Sequence, residues 1–260
     1  MNKVFSQLGE KIRFFDGAMG TVLQEKGLLP GELPELWNLS HREELIEIHR
    51  SYLRAGADFL KTNTFGANCF KLKGSGHTVE EVVSAGVKNA LQAVEDCGKG
   101  TVFLDIGPTG KLLRPLGELD FEDAVSAFAE MVRAGAAAGA EAVLIETMSD
   151  IYEAKAALLA AKENSDLPVF VTMTFDEDGK LLTGGELAVA AAVLEGLGAD
   201  AIGFNCGLGP QQMAGLLPKL RELTGLPIVV NPNAGLPVER DGKTCYDCLL
   251  YTSDAADDLT

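Results

Sequence analysis

Side chains able to do chemistry gather where apolar runs stop. Those runs close on Asp16, Thr62-Asn63, Gly107-Pro108, Glu146-Thr147, Thr172 and Thr174, Asn205-Cys206, and Asn231-Pro232-Asn233. A buried polar group left without a hydrogen bond costs about 1–3 kcal/mol, so each of these must find a partner or a substrate. Asp16 and Glu146 are two carboxylates at such ends. They can cap local backbone, grip a cationic group such as a substrate ammonium, or work as an acid/base pair. Cys206 offers a thiol that can pack, bind metal or react. Cys245-x-x-Cys248 has the spacing of half a zinc site and sits in the stretch after the last apolar run. His41, His49 and His77 fall in helical or loop contexts away from the run ends, which disfavours a His-based triad or a three-His metal site.

The elements that must position these groups alternate strand and helix. Gly56-Ala57-Asp58, Gly139-Ala140-Glu141 and Gly198-Ala199-Asp200 each follow a helical pattern and precede an apolar burst. Each reads as a left-handed helix cap feeding a buried parallel strand. Seven strands are predicted, over 12–16, 58–63, 102–107, 142–147, 169–174, 201–206 and 228–231. Ser40-x-x-Glu43 and Asp150-x-x-Glu153 read as helix starts, and the stripe Phe121, Ala124, Val125, Phe128, Met131 and Val132 as the core face of another helix. Sequential βα units without a G-x-G-x-x-G loop predict an α/β fold of the (β/α)8 TIM-barrel type, with its eighth strand missing. In such barrels the active site lies at the carboxyl ends of the strands, where the polar residues fall.

Composition narrows the partners. With 22 basic against 38 acidic side chains, the formal charge of −16 opposes nucleic acid and anionic membranes. No apolar stretch approaches a membrane span or a secretory signal, so the expected location is cytoplasmic. Five scattered cysteines argue for free thiols or metal ligands over a disulfide framework.

Several segments then match one family in order. Asp16-Gly17-Ala18-Met19-Gly20-Thr21, Thr62-Asn63-Thr64-Phe65, Asp105-Ile106-Gly107-Pro108-Thr109-Gly110, Glu146-Thr147-Met148-Ser149-Asp150, Gly203-Phe204-Asn205-Cys206 and Pro232-Asn233-Ala234-Gly235 resemble the homocysteine S-methyltransferases. The wording is most similar to the homocysteine-binding domain of cobalamin-dependent methionine synthases. The resemblance implies a TIM barrel over 1–246 and an unmatched tail over 247–260. It implies zinc-dependent methyl transfer to homocysteine, with Cys206 a catalytic zinc ligand. Asp16 and Glu146 would hold the substrate amino group, the backbone of Gly17, Ala18 and Met19 its carboxylate, and Asn231 would also bind substrate. Methylcobalamin on another domain, with folate- and cobalamin-binding domains as partners, is the implied source of the methyl group. S-methylmethionine- or betaine-type donors, and an inactive fragment, are the alternatives. One departure is specific: the family carries two adjacent cysteines as its other zinc ligands, and this sequence has no Cys-Cys pair.

Overall fold

A computed structural model describes residues 4–9, 11–234, 237–240 and 243–246. These fall into two compact units. The first holds the described residues of Met1–Ile145 together with Ala156–Val169, and the second those of Glu146–Lys155 and Phe170–Thr260.

In the first unit, α1 (Met19–Glu25), α2 (Trp37–Ser40) and α3 (Arg42–Ala55) lead to β1 (Phe59–Lys61). Then α4 (Val79–Cys97), β2 (Thr101–Ile106), α5 (Phe121–Ala138), the first part of β3 (Ala142–Met148) and most of α6 (Ile151–Asn164) follow. Strand order is chain order and every pair is parallel, with Leu60 opposite Val102 and Phe103 opposite Ala142. Gly56 and Gly139 take the left-handed conformation at the ends of α3 and α5, as their Gly-Ala-acid turns predict. Phe15, Phe59 and Phe103 interlock with ring centroids 5.0–5.1 Å apart.

The second unit repeats the pattern with β4 (Val169–Met173) from Phe170 onward, α7 (Leu187–Gly196), β5 (Ala201–Asn205), α8 (Pro210–Leu223) and β6 (Ile228–Asn231). Again the pairs are parallel and in chain order, Thr172 opposite Gly203 and Gly203 opposite Val229. A hairpin of β7 (Pro237–Arg240) and β8 (Lys243–Tyr246) ends the described chain. Strands added one after another in chain order are the topology of a (β/α)8 barrel; a doubly wound sheet would reverse direction at a switch point.

Two sequence expectations are corrected here. The run over 12–16 makes a single parallel bridge, Phe15 to Phe59, and no strand, so among the described residues six parallel strands stand where seven were expected. Ile12 and Phe14 are more than half exposed, so the run lacks the two-sided burial that holds a parallel strand. The Ser40 capping box also fails: Ser40 lies inside α2 and its hydroxyl donates to the Leu36 carbonyl, while His41 caps α3 without a side-chain bond. The box that forms is Thr78 with Glu81 at the start of α4, at 3.2 and 2.9 Å.

Candidate functional site

Each polar strand end has a physical explanation, and the explanations differ. In the first unit Thr62 and Thr64 close a local network: their hydroxyls lie 2.6 Å apart, Thr64 donates to the Asp105 carbonyl, and the Asp105 N–H donates to Thr62. Asn63 donates to the Pro34 carbonyl. These groups are satisfied by the scaffold.

Asp16 is buried, and its Oδ2 accepts the Lys61 N–H at 3.1 Å, which ties the carboxylate to the end of β1. Gly17 follows, and a Cβ there would meet the Tyr52 ring and hydroxyl at 2.9 Å, so a larger residue would have to displace the end of Tyr52. Tyr52 in turn donates to the Ala18 carbonyl at 3.0 Å. Burial, and then the nearby Asp16 charge, push the Tyr52 hydroxyl above its ordinary pKa, so it stays protonated as that bond requires. Met19 opens α1 without a side-chain cap on Ala18. Asp16, Gly17, Ala18 and Met19 thus form one turn in the first unit, and Glu146, Cys206 and Asn231 belong to the second.

In the second unit the ends of β3 and β5 meet in a hydrogen-bonded cluster. Thr147 and Cys206 are the two described residues other than glycine with positive φ, 61° and 58°. For a β-branched residue that conformation is an outlier costing about 1–2 kcal/mol, the kind of strain that collects at functional sites. Their side chains face each other, Thr147 Oγ1 to Cys206 Sγ at 3.7 Å. Asn205 sits between them, 1% exposed. Its Nδ2 donates to Thr147 Oγ1 at 2.8 Å and lies 3.4 Å from both Glu146 Oε2 and Cys206 Sγ. Its Oδ1 accepts the Thr147 N–H and the Thr172 hydroxyl, both at 2.9 Å.

Glu146 is buried and Cys206 half-buried, so a carboxylate and a thiol sit within reach of one amide. Asn231 joins them through its backbone, whose carbonyl accepts the Cys206 N–H at 3.1 Å. Its side-chain Nδ2 is buried without a partner among the described residues, a donor available to a ligand.

The strand-end rule brings Glu146, Cys206 and Asn231 together. It passes over Asn205 and Thr147 as site residues, although both stand at the same ends and flank the acid and the thiol. Cys69 is exposed and Cys97 closes α4, neither at a strand end. Of Cys245 only the backbone, in β8, is described, and Cys248 lies outside the described residues. Among the described residues no group of three His, Cys, Asp or Glu converges to hold a metal ion. Cys206 is the one described thiol at a strand end, and it offers a single sulfur ligand.

Residues 13–257 match the homocysteine S-methyltransferase family profile. The chain belongs to this family. It is 34% identical over 248 residues to methionine synthases of Mycobacterium leprae and Mycobacterium tuberculosis, covering 89% of this chain in both. It spans only 20% and 21% of their lengths. Among solved structures, the oxidized form of the homocysteine methyltransferase MmuM from Escherichia coli superposes with a TM-score of 0.80 at 25% identity. That match covers 90% of this chain and 86% of the other. The fold is therefore that of the barrel family, with six of its parallel strands described here. Among the described residues no helix is long and apolar enough to cross a membrane.

Proposed function

We propose that this chain binds L-homocysteine and presents its sulfur to a methyl donor, yielding methionine, as the zinc-dependent homocysteine-binding domain of a methionine synthase. The observation that carries the reading is the Glu146–Asn205–Cys206 cluster, which sets an anion for an ammonium beside a sulfur site. The two methionine synthases at 34% identity support this subtype within the family.

Glu146 pairs with the substrate ammonium, and Asn231 donates Nδ2 hydrogens to substrate. Cys206 is a zinc ligand. Zinc bound through it would lower the pKa of the homocysteine thiol from about 8.5, so that a thiolate exists at neutral pH. The reaction then needs only alignment: the sulfur lone pair forms the new S–C bond while the methyl–donor bond breaks and its electron pair leaves with the donor. The buried Glu146 carboxylate fixes the amino acid end so that the sulfur has one orientation, a proximity effect. The donor is methylcobalamin carried on another domain, and folate- and cobalamin-binding domains are the partners. The protein works in the cytoplasm.

The test supplies zinc, L-homocysteine and methylcobalamin to the protein and follows methionine by mass spectrometry. Methionine formation above the protein-free rate is expected. Its absence with methylcobalamin, but appearance with S-methylmethionine or betaine, would overturn the donor assignment, and its absence with all three the function.

A further inference from the structure

We propose that Asn205 is the positioning residue of this site, a role that rests on the homocysteine reading above but is visible in the geometry without it. Its amide has one orientation. The Thr147 N–H can only donate, so the atom facing it at 2.9 Å is Oδ1, and Nδ2 therefore faces Thr147 Oγ1 at 2.8 Å. An amide nitrogen has only hydrogens to give, so Thr147 Oγ1 accepts, and its own hydrogen is free for Cys206 Sγ at 3.7 Å. The result is a directed relay from the Asn205 amide through the Thr147 hydroxyl to the Cys206 sulfur. The second Nδ2 hydrogen is shared between Glu146 Oε2 and Cys206 Sγ, both at 3.4 Å.

One side chain thereby grips Thr147 at two points and holds its backbone at φ 61°, where a β-branched residue does not rest by itself. That conformation aims Glu146, its neighbour, and Cys206 at fixed spacing. The Asn205 amide is anchored in turn: the Thr172 hydroxyl donates to Oδ1 and the Thr174 hydroxyl to the Asn205 carbonyl at 3.2 Å. A core position at the end of β5 would pack as well with an apolar side chain, so five polar contacts converging on this one point to the site. Asn205 acts through Glu146, Thr147 and Cys206 without touching substrate.

Two readouts test this. The first is the crystal structure of Asn205→Ala, in which Thr147 is expected to leave the left-handed region. Thr147 remaining near φ 60° would overturn the proposal, whatever the site binds. The second is L-homocysteine affinity by calorimetry in the zinc-loaded protein, expected to weaken by about 10- to 100-fold in Asn205→Ala, the usual size of an outer-shell loss. Thr147→Val deletes the relay hydroxyl and Thr147→Ser restores it, so affinity should fall in the first and recover in the second. This pair stands in if Asn205→Ala does not fold. A role in stability alone would lower the melting temperature without that rescue. Wild-type affinity in both Asn205→Ala and Thr147→Val would sink the proposal. Absence of homocysteine binding by the wild type would sink the functional reading instead, leaving the Thr147 conformation to decide the role of Asn205.

Discussion

His49 places a sharp pH dependence in the stability of the first unit. It lies on the buried face of α3 with Leu45, Ile46, Ile48 and Leu53, is 0% exposed, and has no partner for either ring nitrogen among the described residues. Burial alone pushes its pKa from 6.5 down to about 4. The folded protein therefore refuses a proton that the unfolded chain accepts once pH drops below 6.5. Stability is whole above that value, falls as pH decreases, and stops falling through this group below about 4, where both states are protonated. At about 1.36 kcal/mol per unit, the full loss is about 3 kcal/mol, and about 2 kcal/mol is gone by about pH 5. The perturbation is His49→Leu, which keeps an apolar side chain of similar size and removes the titration. Urea unfolding of both proteins at about pH 7.5 and pH 5 supplies the comparison, in which other titrating groups cancel. At the higher pH the variant should be at least as stable as the wild type, because two unsatisfied ring nitrogens are gone. On acidification the wild type should lose about 2 kcal/mol more than the variant. Equal losses, within the additivity error of about 0.5 kcal/mol, would refute the reasoning.

Gly203→Ala should break the pairing of β5 with β6, since a Cβ there would lie 1.8 Å from the Val229 carbonyl oxygen, a backbone atom that cannot swing away. A loss of at least about 3 kcal/mol in urea unfolding is expected, and a loss under about 1 kcal/mol would show that the strands separate without cost. Glu146→Gln keeps shape and removes the charge offered to the ammonium. Homocysteine KM should rise by about tenfold or more, while an analogue lacking the amino group should bind both proteins equally. An unchanged KM would remove Glu146 from the amino-group role.

Local signals in the sequence carried over well. Gly56 and Gly139 were legible as helix ends because a left-handed cap depends on its own residue and the preceding turn. Pairing is not local, which is why the apolar run over 12–16 read as a strand yet makes one bridge, with Ile12 and Phe14 facing outward. Ser40 and Glu43 have the right spacing for a cap, but the chain is already helical at Ser40 and the extended N-cap backbone is found at Thr78. Glu146 and Cys206 could be singled out because barrel strands end at the site. Asn205 was legible as a strand-end residue but its role was not, because its partners Thr172, Thr147 and Glu146 lie 33, 58 and 59 residues away in sequence. Hydrogen bonds of that span leave no periodicity to read.

Cys206 holding the homocysteine sulfur is the central claim. Calorimetric titration of L-homocysteine into the zinc-loaded wild type and Cys206→Ser tests it, with zinc content of both proteins measured in the same preparations. Saturable binding at one site per chain is expected in the wild type, with zinc and homocysteine affinity lost together in the variant. Wild-type zinc content and homocysteine affinity in Cys206→Ser would contradict the account.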